Sequence, residues 1–202
     1  MADIKKEGER KMGVYVRYLH AYPSLGSVEV LDGNIPVVRR LEYGQVTPYF
    51  YAEAPEGFRL ETEDGSRSWG KETPGDGGTI TWVLTEKEGS PWMIPIQDME
   101  RGSEEGEAVL RLVNLAVPTL DLYMGRLPEE MEMFLEQVEE GEASEYKGTE
   151  SGRYFADLCM GAEWNVLARI PELHLAGGVW YSLYVIGNAE QWNVRLVMDG
   201  TI

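Results

Sequence analysis

The chain has 202 residues, 43% of them hydrophobic, and a formal net charge of −17. That excess of acid repels polyanions, which argues against nucleic acid and anionic membrane surfaces as partners and favours solubility. One cysteine, Cys159, excludes an internal disulfide framework and a multi-cysteine metal site; in a β context it reads as a small buried hydrophobe.

Residues 1–11 are charged and aperiodic, so a mobile tail is expected there. They contain no apolar core of signal-peptide length, and no run approaches the ~20 apolar residues of a membrane span. On these grounds the chain reads as cytoplasmic, without membrane insertion.

From Met12 onward the pattern is β. Val14-Tyr-Val-Arg-Tyr-Leu is β-branched and aromatic. Pro23 and Gly26 break it, and Val28-Glu-Val-Leu follows with its valines on one face. Asp32-Gly33 is a tight-turn signal. Pro36 to Tyr43 is apolar but irregular, and Pro48 makes the run from Gly44 to Tyr51 an edge or bulged strand. Phe58-Arg-Leu-Glu-Thr leads to a second turn at Asp64-Gly65. Thr79-Ile-Thr-Trp-Val-Leu-Thr is a clear strand, and Gly89-Ser-Pro91 turns the chain into Trp92-Met-Ile-Pro-Ile. About seven short strands at such spacing predict an all-β sandwich over residues 12–98. Residues 99–107, rich in Glu and Gly, read as a linker, and residues 108–202 as a second sandwich.

The second sandwich echoes the first. Ala108-Val-Leu-Arg-Leu-Val-Asn-Leu, Pro118 and Leu120-Asp-Leu repeat Val14-Tyr-Val-Arg-Tyr-Leu-His, Pro23 and Val28-Glu-Val. Arg17 matches Arg111 at an offset of 94, Gly44 and Tyr49 match Gly141 and Tyr146 at 97, Gly57 and Trp69 match Gly152 and Trp164 at 95, and Gly77, Gly78 and Trp92 match Gly177, Gly178 and Trp192 at 100. Offsets that change only in turn-rich segments are what a duplication with loop insertions leaves behind. The second copy is longer before Gly141. There Met131, Phe134, Leu135 and Val138 fall at i, i+3, i+4, i+7 behind Pro128, which predicts a short amphipathic helix; a strand through Met131, Met133 and Leu135 is the rival. If the strands of Arg17 and Glu29 pair, and those of Arg111 and Asp121 likewise, each copy carries an Arg–carboxylate contact on one sheet face.

These motifs, in this order, resemble the bacterial family of domains of unknown function DUF4397. Its pattern runs Val-Arg-Val-Val-His-Ala-Ser-Pro-Asp, Val-Asp-Val-Tyr, Tyr-Gly-Thr-Val-Ser-x-Tyr, Ala-Gly-Thr-Tyr and a late Tyr-Thr strand. The first copy offers Val16-Arg-Tyr-Leu-His-Ala-Tyr-Pro23, Val28-Glu-Val30 and Tyr43-Gly-Gln-Val-Thr-Pro-Tyr49; the second offers Leu110-Arg-Leu-Val-Asn-Leu-Ala-Val-Pro118, Leu120-Asp-Leu-Tyr123 and Gly141-Glu-Ala-Ser-Glu-Tyr146. Ser24 and Thr119 stand where the family has Asp, and Asn114 where it has His. The resemblance implies two tandem immunoglobulin-like β-sandwich domains, and surface-associated or exported relatives.

Catalytic signals are sparse. His20 and His174 have no metal-ligand spacing to each other or to Cys159, and nucleophile-elbow, Walker and dinucleotide motifs are missing. With 35 Asp and Glu, carboxylate pairs carry almost no information. The acidic segment 99–150 could hold cations weakly, but without a calcium loop it reads as a solvated face. The expectation is a non-enzymatic binding or structural module, without metal or cofactor, on a cell or spore surface, with a protein or glycan partner or a second copy in a homodimer. Trp69, Trp164, His20 and Tyr22 are the candidate ligand or interface residues. An intracellular hydrolase with an unrecognised carboxylate site is the alternative.

Overall fold

A computed structural model describes residues 14–52, 58–65, 68–71, 78–98, 106–161, 165–188 and 190–200, and of residues 68–71 the backbone alone. The expected tail, most of the expected linker and Trp164 lie outside the described residues.

Each copy is a pair of facing sheets. In the first, β1 (Val14–His20), β4 (Phe50–Ala52), β7 (Gly78–Lys87) and β8 (Ser90–Asp98) form one sheet in the order β4-β1-β7-β8. Opposite lies β3-β2-β5-β6, from β2 (Val28–Asp32), β3 (Ile35–Leu41), β5 (Phe58–Thr62) and β6 (Ser68–Lys71). The second copy repeats the scheme. β12 (Glu142–Ala143), β9 (Glu107–Leu115), β16 (Trp180–Gly187) and β17 (Trp192–Asp199) pair in that order, with β13 (Lys147–Glu150) also on β9. β11 (Glu132–Glu139), β10 (Thr119–Gly125), β14 (Gly152–Met160) and β15 (Asn165–Leu175) form the other sheet. In both copies the first strand pairs in parallel with the penultimate one, β1 with β7 and β9 with β16. The strand order is thus common to both halves, as a duplication requires.

Each sandwich closes its own core. Val14, Val16, Tyr18, Ile80, Trp82 and Leu84 meet Val28, Val30, Phe58 and Leu60 in the first; Leu110, Leu112, Leu183 and Val185 meet Leu120, Leu122, Leu135 and Leu158 in the second. β1, β7, β9 and β16 are buried nearly end to end, whereas β3, β11 and β15 alternate or are largely exposed. A strand covered on both faces must have a layer on each side. The second layer is the other sandwich: Leu19, Ala21, Val83 and Ile96 pack against Val113, Leu115, Tyr184 and Ile186 in a third core between the copies.

The helix expected near residues 128–138 is absent. Pro128–Glu130 is a single 3-10 turn, and the rest is strand β11, pairing with β10. The helical spacing has a β-bulge as its cause. Leu122 faces Leu135 and Leu120 faces Val138, so two residues on one strand span three on the other. Gln137 takes the extra place with φ +53°, and its N–H donates to Asp121 Oδ1 at 2.7 Å. Leu135 and Val138, three apart, therefore point into the same core. The first copy has the same shift, with Val28 facing Leu41 and Val30 facing Val38, so its irregular stretch is also a bulged strand.

Strand registers also revise two offsets. Leu60 of β5 pairs with Val30 as Leu158 of β14 pairs with Leu122, so those strands match at 98 rather than 95. Thr81 faces Arg17 as Ser182 faces Arg111, which matches the late strands at 101 rather than 100. Trp192 thereby loses Trp92 as its counterpart; Asn193 takes that place. Among the described residues there is no helix long and apolar enough to cross a membrane.

Candidate functional site

The sheet faces between the sandwiches alternate apolar residues with a polar centre. Arg17 and Arg111 do not reach Glu29 and Asp121, because β1 and β2, like β9 and β10, lie in different sheets. They reach across the interface instead. Arg17 donates through Nε to Thr81 Oγ1 at 2.7 Å, through Nη1 to the Met198 carbonyl at 2.8 Å, and through Nη2 to Asp199 Oδ1. Arg111 mirrors it. Its Nε donates to Ser182 Oγ at 2.7 Å, its Nη1 to the Gln97 carbonyl at 2.7 Å, and its Nη2 to Asp98 Oδ1 at 2.5 Å. Each arginine thus binds the carboxylate at the end of the other sandwich's last strand.

The rest of the network is duplicated too. Tyr49 donates to Asp98 Oδ2 at 2.7 Å and Tyr146 to Asp199 Oδ2 at 2.8 Å. The guanidinium of Arg17 stands 4.4 Å from the Tyr49 ring centroid, and that of Arg111 4.5 Å from Tyr146. Thr81 and Ser182 pass a second hydrogen bond to Asp98 and Asp199. All four charged residues are at most 4% exposed. Two cations and two anions balance, and each has several hydrogen bonds, which is what a buried ion cluster requires.

Burial pushes the Asp98 carboxyl above the usual carboxylate range; Arg17 pulls against it, and Asp199 adds to the rise. Burial also raises the Tyr49 and Tyr146 phenols, helped by the carboxylates beside them, so both stay protonated and can donate. Burial works against the charge on Arg17, but Tyr184 and the two aspartates outweigh it and raise its pKa. Tyr184 is fully buried here, and its hydroxyl has no hydrogen-bond partner among the described residues. The cluster presents no reactive group to solvent; its physical effect is to fix how the two sheets meet.

His20 and Tyr22 come together at the end of β1. His20 is 0% and Tyr22 8% exposed. The His20 Nε2 lies 3.0 Å from the Gly26 carbonyl, and its Nδ1 accepts the Tyr22 N–H at 3.3 Å, so Nε2 carries the proton. Burial lowers its pKa, and the Gly26 contact partly offsets this. Asn114 occupies the same place in the second copy. Its Nδ2 donates to the carbonyls of Val117 and Val138, and its Oδ1 accepts the N–H groups of Ala116 and Val117. Trp69 lies on β6, paired with Leu60 in register. His174 is exposed on β15. Among the described residues no group of three or more His, Cys, Asp or Glu is arranged to hold a metal ion.

A cleft of ≈ 580 Å³ opens between the sandwiches at one end of the interface. Its floor and walls combine Trp92, Ile94 and Leu115 with Glu86, Glu88, Glu140 and Glu142. Trp92 is 42% exposed, with the Lys87 ammonium 5.1 Å from its ring centroid. Neither Asp98 nor Asp199 stood out in the sequence, because nothing marks an acid as the last residue of a strand. Their shared offset of 101 with Thr81 and Ser182 is the signal that could have found them.

No curated protein matches the chain. The profile of a family described as "Domain of unknown function (DUF4397)" matches residues 14–123. That span takes in the described strands of the first sandwich together with β9 and most of β10 of the second. The second sandwich is tied to the first by its repeated strand order and register. On the family match, which covers more than half its length, the chain belongs to the DUF4397 family.

Proposed function

We propose that this protein is a non-catalytic binding module, built from two immunoglobulin-like sandwiches held as one rigid body and working at a cell or spore surface. The parallel pairing of the first strand with the penultimate strand in each sandwich supports the immunoglobulin-like reading. The observation that carries the proposal is the exchanged pairing of Arg17 with Asp199 and Arg111 with Asp98. A buried charge exchange of this kind costs desolvation and gains geometric definition rather than raw stability. A module needs that definition, because a cleft between two domains keeps its shape only if they do not move against each other.

Peptide and glycan arrays probed with the intact chain, and in parallel with Glu140→Lys, test this reading. The expected result is a class of probe held by the wild type and lost by the variant. Equal retention of every probe by both proteins, or turnover of chromogenic ester and glycoside substrates by the wild type, contradicts it.

A further inference from the structure

The duplication supplies an internal comparison for the cleft. Each end of the interface is built from matched residues: Tyr43, Gly44, Gln45 and Arg195 at one, and Glu140, Gly141, Glu142 and Ile94 at the other. Arg195 of β17 faces Tyr184 of β16 as Ile94 of β8 faces Val83 of β7. Gly44 and Gly141 have similar left-handed backbones, φ +78° and +84°. Their N–H groups donate to the carbonyls of the matched residues His20 and Asn114, both at 2.8 Å.

The first end is closed by the chain itself. Arg195 donates through Nε to the Gly44 carbonyl at 3.1 Å and through Nη1 to Asn193 at 2.9 Å. Tyr43 donates to the Ile186 carbonyl at 3.3 Å. Gly44 is buried, and a Cβ there would lie 2.9 Å from Arg195 Nη2. At the other end Gly141 is exposed, and a Cβ would meet nothing within 4 Å. Ile94 is too short to do what Arg195 does, and the open cleft is the result.

The substitutions that open this end also change its chemistry in one direction. Tyr43 becomes Glu140, Gln45 becomes Glu142 and Asn193 becomes Trp92. Two carboxylates and an indole face now surround the place where, at the closed end, a guanidinium sits. A planar guanidinium has five donors for carboxylate and carbonyl oxygens and stacks on an aromatic face. Lys87, already over the Trp92 ring, is the only base among the described residues lining the cleft.

We propose that the cleft takes an arginine side chain from a basic peptide segment of a partner, seated on the Gly141 carbonyl, between Glu140 and Glu142, and against Trp92. This names the ligand class for the module proposed above and rests on that reading. Lys87 is an exposed, flexible ammonium that the incoming guanidinium displaces from the ring.

Calorimetric titration of the full chain with tetra-arginine, and with tetra-lysine as comparator, tests it. Binding of tetra-arginine at least tenfold tighter than tetra-lysine is expected. Ile94→Arg, which transplants the plug of the closed end, and Glu140→Gln/Glu142→Gln should each weaken tetra-arginine at least tenfold. Glu172→Gln on the far sheet should not. If Ile94→Arg does not fold, the double glutamine variant decides alone. No binding, equal affinity for both peptides, or binding unchanged in the folded cleft variants overturns the inference. A probe from the arrays that depends on Glu140 but carries no arginine would sink this ligand and leave the module reading in place.

Discussion

At the residue scale, the network between the sandwiches distinguishes a lone buried charge from a paired one. Arg17→Met leaves Asp98 and Asp199 with Arg111 as the one remaining cation between them, and takes from Asp199 its direct ion-pair partner. Breaking a buried pair on one side costs about 3–5 kcal/mol. Arg17→Met combined with Asp199→Leu removes both charges and should cost clearly less than the sum of the single changes. Urea denaturation of the two single variants and the double variant measures this coupling, and additive losses would show that the pair is not interacting. His20 offers a second test. Its folded-state pKa lies below the ordinary 6.5, chiefly through burial. A base shifted this way binds its proton more readily when unfolded. Its contribution is therefore present above the unfolded value and is lost as pH falls through the folded one. Asp98, shifted upward, works in the opposite sense, but His20→Asn leaves it untouched. That variant imports the Asn114 arrangement and should lose less Tm than the wild type between about pH 7 and pH 5. Equal slopes in the two proteins would contradict the assignment.

At the element scale, β11 shows how a bulge imitates a helix. The apolar positions of the segment satisfy a 3.6-residue period, yet Leu135 and Val138 share a face only because Gln137 bulges out between them. The run was legible as amphipathic, and as strand only to a reader who allowed an extra residue; periodicity alone does not separate the two. Gln137 in the left-handed region costs a non-glycine residue about 1 kcal/mol or more, and the Asp121 carboxylate holds it there. Gln137→Gly should stabilise the chain by up to about 1 kcal/mol. Asp121→Ala should destabilise it by about 1–3 kcal/mol, since it strips the bulge of its acceptor. Chemical denaturation of both variants checks the opposite signs; two destabilised variants would mean that the bulge carries no strain.

At the scale of the whole molecule, most of the architecture was readable: the duplication, the sandwich class and the equivalence of Arg17 with Arg111 and of Tyr49 with Tyr146. The partners of those residues were not. Arg17 and Asp199 are 182 positions apart, and the pairing follows from how two finished sandwiches meet, which no local pattern encodes. The hint lay in burial, since Val14-Tyr-Val-Arg-Tyr-Leu and Ala108-Val-Leu-Arg-Leu-Val are too apolar for strands with one face in water. The cleft was equally hidden, because it arises where the two copies have diverged at matched positions rather than where any motif is strong.

The claim on which all of this turns is that the two copies are one mechanical body. Leu19, Val83, Val113, Leu115, Tyr184 and Ile186 are covered only because the sandwiches face each other, so neither copy should survive the melting of its neighbour. Differential scanning calorimetry of the full chain measures this most directly. The expected result is one transition whose calorimetric and van't Hoff enthalpies agree, and which moves as a whole to lower temperature in Arg17→Met. Two resolved transitions, with only one displaced by that substitution, would contradict it.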